Sequence, residues 1–173
     1  MSRVSYFAAL IALACSCTQP PSPPPAPPSN CSTGGPGPAP GPPQPKITEG
    51  IAGVICFWEG NFMSTLEPDE RGTVKPVPRT IEIHAPTRSA DGVGGDGATF
   101  WGSVSTPLIA TANSGDDGWF EVAVPPGTYS LLVRESGRLY ANSFNGEGII
   151  APIEVTAGKV ARTQFDINYR AVE

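Results

Sequence analysis

An all-β fold, an antiparallel two-sheet sandwich of about seven strands, is what this 173-residue sequence predicts, and three observations predict it. Apolar residues alternate at period two from Gly50 onward. Turn signals separate the alternating runs: Gly115-Asp116-Asp117-Gly118, Pro125-Pro126-Gly127, Asn145-Gly146-Glu147-Gly148 and Ala157-Gly158-Lys159. No stretch sustains a helical period, and short strands at this spacing are the mark of a sandwich.

The elements follow in order. In Ile51 to Trp58 one face carries Ile51, Ile55 and Phe57, and in Arg79 to His84 it carries Ile81 and Ile83. Leu108 to Ala112 alternates small apolar residues with Ile109 and Thr111. Phe120, Val122 and Val124 then alternate with Trp119, Glu121 and Ala123, and Tyr129, Leu131 and Val133 with their polar neighbours. Ile149 to Val155 and Val160 to Tyr169 close the domain, the latter with Thr163, Phe165, Ile167 and Tyr169 on one face. Two long loops are expected, Asn61 to Lys75 and Pro86 to Thr106, and long loops on a rigid scaffold are where function usually lies.

Ahead of this domain stand two segments of other character. Met1-Ser2-Arg3 and the apolar run Val4 to Ala14 have the plan of a signal peptide, since about eleven apolar residues fall well short of the ~20 that span a bilayer. Ala12-Leu13-Ala14-Cys15 resembles the lipobox of bacterial lipoproteins, which implies cleavage after residue 14 and lipid on Cys15. Two alternatives stay open at this point: lipid on Cys17 instead, and an ordinary secretory signal with both cysteines left unmodified. By the same resemblance Ser16, where aspartate would favour inner-membrane retention, points to a cell-envelope protein anchored in the outer membrane. From Pro20 to Pro45, thirteen of twenty-six residues are proline. This composition buries too little apolar surface to order itself, so residues 15–49 read as an extended tether of ~3.1 Å per residue. Residues 50–173 are the one folded domain. With Cys15 lipidated, Cys17 and Cys31 are left free to pair in an oxidising compartment, and Cys56 reads as a small apolar residue within a strand.

The run Ala112 to Val122, with Asp117-Gly118-Trp119-Phe120 at its turn, is followed by Val124-Pro125-Pro126-Gly127-Thr128-Tyr129. Together with Gly53-Val54-Ile55 near the start and Val155-Thr156-Ala157-Gly158-Lys159-Val160 near the end, these residues resemble the carboxypeptidase regulatory-like domain. The resemblance covers about Gly50 to Tyr169, has no counterpart for the Pro86 to Thr106 loop, and has Gly115 where the family commonly carries aspartate. It implies a transthyretin-like sandwich acting as a non-catalytic module. Its motifs are structural: Gly118 and Gly127 free the backbone at tight turns, and Tyr129 is expected to pack inward with its hydroxyl partnered.

The search for chemistry returns little. The chain has one histidine, His84, expected on a solvent-facing strand position, so neither a zinc site of histidine ligands nor a Ser-His-Asp triad is indicated. No phosphate-binding glycine loop appears. Asp91 to Gly97 and Glu67-Pro68-Asp69-Glu70 offer oxygen atoms, but their spacing fits no calcium loop. Removing residues 1–14 takes only Arg3 from the charged set, leaving ten basic against sixteen acidic residues with no basic stripe, which disfavours nucleic acid. No catalytic residue, metal site or cofactor is expected. The expected role is a membrane-anchored binding or scaffolding module for a protein or glycan ligand, with Trp58, Trp101 and Trp119 as candidate ligand contacts.

Overall fold

The run GIAGVICFWEGN forms β1 (Gly50–Asn61), and its composition explains its central place: a strand buried on both faces reads as a nearly continuous apolar run. The computed structural model describes residues 31, 43–63, 71–96 and 98–172. Along one side of β1 lies β11 (Val160–Val172), parallel to it, with Gly50 opposite Val160 and Phe57 opposite Ile167 before a bulge shifts the register. Along the other side, β7 (Trp119–Val122) pairs antiparallel with the first half of β1 and β2 (Thr73–Pro76) with the second. One four-stranded sheet results.

The second sheet has seven strands. In spatial order these are β4 (Gly92–Gly95), β5 (Phe100–Val104), β9 (Arg138–Tyr140), β8 (Gly127–Glu135), β3 (Thr80–His84) and β6 (Leu108–Asn113). β10 (Pro152–Val155) pairs with the first half of β8 on the edge that β9 occupies further along. Between the sheets Ile51, Ile55, Phe57, Phe120, Phe165 and Ile167 meet Ile81, Ile83, Leu131, Val133 and Tyr140. Each such side chain contributes roughly 1.5–3 kcal/mol by leaving water.

The all-β two-sheet sandwich is therefore as expected, and it differs from the sequence reading in three respects. The first sheet is mixed, because the first and last strands run parallel. Eleven strands are present among the described residues, rather than about seven. The stretch 86–106 is largely structured: a single 3-10 turn (Ser89–Asp91) leads into β4 and β5. Gly92 opens β4, and a Cβ there would collide with the indole of Trp101. At Gly118 (φ 73°) a Cβ would sit 2.6 Å from the Ile55 carbonyl oxygen, so this turn admits no side chain. As expected, Tyr129 is buried and its hydroxyl donates to the Pro125 carbonyl at 2.7 Å.

Trp101 is only 1% exposed, so it is a core residue and not a ligand contact. Its ring meets Phe144 edge-on at 6.5 Å, and its Nε1 has no hydrogen-bond partner among the described residues. We expect Trp101→Ala to cost about 3–5 kcal/mol in urea unfolding, and Trp101→Phe much less, because phenylalanine refills most of the volume and removes the orphaned donor.

Candidate functional site

By strand alternation Ala52, Val54, Cys56 and Trp58 face away from the core, yet Ala52, Val54 and Cys56 are buried. The N-terminal segment is tied to this outer face. Cys31 and Cys56 form a disulfide with sulfur atoms 2.12 Å apart. This corrects the reading of Cys56 as a small apolar residue, and it takes Cys31 out of the pairing with Cys17 that the sequence left open. Further along the segment Arg162 donates to Gln44 Oε1 at 3.1 Å, the Lys46 amide donates to Glu121 Oε2 at 2.7 Å, and Glu49 Oε2 accepts from the Gly158 amide at 2.7 Å. Cys31, Gln44, Lys46 and Glu49, residues assigned by sequence to the tether, thus contact the sandwich. Cys15, Cys17 and the acidic run Glu67 to Glu70 lie outside the described residues.

Of the three candidate tryptophans, Trp58 and Trp119 are half-buried on this face and Trp101 is in the core. Trp119 sits opposite Val54 and Trp58 opposite Val74. Four residues of β1, about 13 Å at 3.3 Å per residue, separate these positions, so the two rings do not make one platform. Trp58 packs on Phe62 at 4.9 Å, and its Nε1 donates to Asp166 Oδ1 at 2.8 Å.

That bond leads to a cleft of about 330 Å³ between the two sheets. One wall is the edge of β11, from Thr163 to Asp166 with Asn168, and the other is the edge of β10 from Ala151 to Ile153, with Asn142 and Ser143 nearby. Consecutive residues line it because these are the outer edges of two strands, each paired, among the described residues, on its other side only. Asp166 Oδ1 also accepts from Gln164 Nε2 at 2.8 Å. Burial pushes the Asp166 carboxyl above its ordinary value, against the lowering effect of the Trp58 and Gln164 hydrogen bonds. Asn168 Oδ1 accepts from both the Tyr140 hydroxyl (2.9 Å) and Asn142 Nδ2 (2.7 Å). Burial likewise raises the Tyr140 hydroxyl. Sequence reading missed this group. Gln164, Asp166 and Asn168 do stand out as a polar set at period two, but nothing local places Asn142 beside them.

The outer face of the second sheet is bound up internally. His84 is 5% exposed, which corrects the solvent-facing expectation: the Thr106 carbonyl oxygen lies 3.2 Å from Nδ1, and Glu82 Oε2 lies 3.0 Å from Nε2. Both partners are acceptors, so both bonds form at once only with an imidazolium. Arg134 Nε donates to Glu82 Oε1 at 2.6 Å. Burial alone would raise the Glu82 carboxyl, but the hydrogen bonds from His84 and Arg134, and then their charges, hold it below its ordinary value. In the glycine-rich loop, Asp96 Oδ1 accepts the amides of Phe100, Thr99 and Ala98, and Oδ2 accepts the Thr99 hydroxyl. These amides hold the Asp96 carboxyl well below the carboxylate range, so it serves as a turn cap.

Two carboxylates therefore give opposite pH signatures. Glu82, depressed in the fold, adds stability above its unfolded value of ~4.3 that is lost as pH falls through the folded one; Glu82→Gln should cost about 2 kcal/mol near neutrality, with the gap closing on acidification. Asp166 is raised, so its favourable contribution holds below ~3.9 and is lost as pH rises through the folded value. Asp166→Asn should melt higher than the parent near pH 7 and lose that advantage toward pH 4, which thermal melts across this range will read.

Comparison of the chain with protein-family models, with curated proteins and with solved structures finds no match in any of the three.

Proposed function

We propose that this chain is an exported lipoprotein, cleaved before Cys15 and anchored by lipid on that residue in the cell envelope, most naturally the outer membrane. There it displays one carboxypeptidase regulatory-like sandwich as a non-enzymatic binding or scaffolding module. The observation that supports this reading is the Cys31–Cys56 disulfide. Such bonds persist in oxidising compartments outside the cytosol, which is where a signal peptide over residues 1–14 would deliver the domain. The disulfide also redefines the spacer. Its reach is set by Ser16 to Asn30 and not by the whole proline-rich run, about 45 Å at ~3.1 Å per residue in a polyproline conformation.

A second reading, a carbohydrate-binding accessory lipoprotein, is favoured by one specific observation. Trp58, the candidate beside the cleft, is hydrogen-bonded to a carboxylate that lines it together with three amide side chains, and indole, carboxylate and amide groups are the usual equipment for hydroxyl-rich ligands.

Metabolic labelling with a palmitate analogue tests the anchor. The parent chain should carry label and sediment with membranes, and Cys15→Ala should lose both; label persisting in that variant would move the lipid to Cys17 and overturn the assignment. Replacing Cys31 and Cys56 together by serine should lower stability by about 3 kcal/mol, as expected for a loop of this length, measured by denaturant unfolding under non-reducing conditions.

A further inference from the structure

The cleft between the edges of β10 and β11 is unlike the other hollows in what it leaves open. A hollow of about 480 Å³ is walled by Lys46 to Glu49 and Ala123 to Pro125, and one of about 410 Å³ contains Arg79 and Arg134. Those two arginines are already paired with Glu135 and Glu82. In the β10–β11 cleft, by contrast, Asp166, Asn168 and Asn142 each have one atom fixed and another without a partner among the described residues. Trp58 and Gln164 both bond to Oδ1 of Asp166, and Oδ2 has no partner among the described residues. Tyr140 and Asn142 both bond to Oδ1 of Asn168, and its Nδ2 has no partner among the described residues. Asn142 gives up Nδ2 and keeps Oδ1. The fixed atoms hold each group in place, and the open ones offer two acceptors and one donor at the cleft, a preorganised set.

We infer that this cleft is a saccharide site, in which Asp166 Oδ2 and Asn142 Oδ1 accept from sugar hydroxyls and Asn168 Nδ2 donates to one. The inference rests on the carbohydrate reading above and gives it a different location from a tryptophan platform. Three arguments select a neutral polyol. A hydroxyl is donor and acceptor at once, so adjacent hydroxyls of one ring satisfy two acceptors and a donor. An anionic ligand would be repelled by Asp166. An extended peptide adding as a strand uses a run of backbone groups; on β10 only four residues are on offer, the first of them Pro152 without an amide hydrogen, and pairing along β11 would leave the side-chain atoms of Asn142 and Asp166 unused. A volume of about 330 Å³ is at the small end of ligand pockets and suits one or two sugar rings of a longer glycan. Trp58 is a positioning residue here. Its indole N–H occupies Oδ1 and so presents Oδ2.

The test uses the full oxidised chain in detergent, screened on a glycan array and then titrated with the neutral oligosaccharides that score, by calorimetry and amide chemical shifts. Expected are shifts centred on Asn142, Asp166 and Asn168, affinity weakened about tenfold by Asp166→Asn and by Asn142→Ala, and no change with Trp119→Ala. Asn142→Ala removes one hydrogen bond, and melting curves check that both variants fold. Trp58→Phe should also weaken binding, and the loss should vary with pH as Asp166 loses its fixed orientation, whereas a purely structural role would leave the pH profile unmoved. Saccharide binding that survives Asp166→Asn and Asn142→Ala but is lost with Trp119→Ala would overturn the cleft assignment and keep the carbohydrate reading. Absence of saccharide binding up to about 10 mM, with or without binding of extended peptides, would overturn both and leave the export and anchoring proposal standing.

Discussion

The parallel ladder between β1 and β11 is the interaction on which the rest of the sandwich depends. β1 is hydrogen-bonded along one side to the last strand of the domain and along the other to both β2 and β7, so a single segment organises its whole sheet. Its two faces are both committed. Ile51, Ile55 and Phe57 enter the core between the sheets, and Ala52, Val54 and Cys56 are buried on the opposite side. A strand in that position tolerates neither a shift in register nor a polar insertion, because a one-residue slip would exchange the two faces. The sequence Gly-Ile-Ala-Gly-Val-Ile-Cys-Phe meets that demand with apolar residues on both faces, and with Gly53 where a Cβ would meet Thr163 and the Phe120 ring.

With β1 fixed, the two outer faces differ in how they are occupied. On the first sheet the N-terminal segment is held by a covalent bond at Cys56 and by polar contacts from Gln44, Lys46 and Glu49. On the outer face of the second sheet the polar groups satisfy one another, Arg134 and His84 sharing Glu82, while Glu135, on the side of Leu131 and Val133, is shared by Arg79 and the Tyr169 hydroxyl of β11. Such networks fix side chains more than they add stability. Uncommitted hydrogen-bonding atoms gather, among the described residues, at an edge where β10 and β11 leave unpaired sides facing one another. The cleft is thus a by-product of how the sandwich closes, and its amides and carboxylate are anchored by the strands that form it.

Much of the sandwich was legible in the sequence because period-two alternation and glycine- or proline-marked turns are local signals. β3, β6, β7, β8 and the closing strands fall where those signals put them. β2, β4 and β9 escaped because three or four residues, one set of them Gly-Val-Gly-Gly, carry no period. β5 escaped because its apolar pair Phe100-Trp101 sits inside a stretch read as loop. The parallel docking of β11 is a contact across more than a hundred residues, and no pattern within either strand encodes direction. His84 was read correctly as facing away from Ile81 and Ile83, but the Thr106 segment that covers it lies beyond any strand pattern. The cleft was the least legible feature, since Asn142 and Asn168 meet only after both sheets have formed. Cys31 sits in a low-complexity run whose composition masks its partner, and only the burial of Cys56 on an outward face explains why a cysteine is useful there.

The same disulfide decides how a pull along the N-terminal segment would reach the domain. Tension carried through Cys31 enters β1 at Cys56, seventh of its twelve residues, and does not pass through the residues between them. Pro36, Pro38, Pro40, Pro42, Pro43 and Pro45 belong to this bypassed loop. Isomerisation of their peptide bonds, slow as it is, would leave the load-bearing length of the chain unchanged. The load arrives mid-strand, where β1 is hydrogen-bonded to β11 on one side and to β2 on the other. A domain held through this segment would be held by the middle of its central strand.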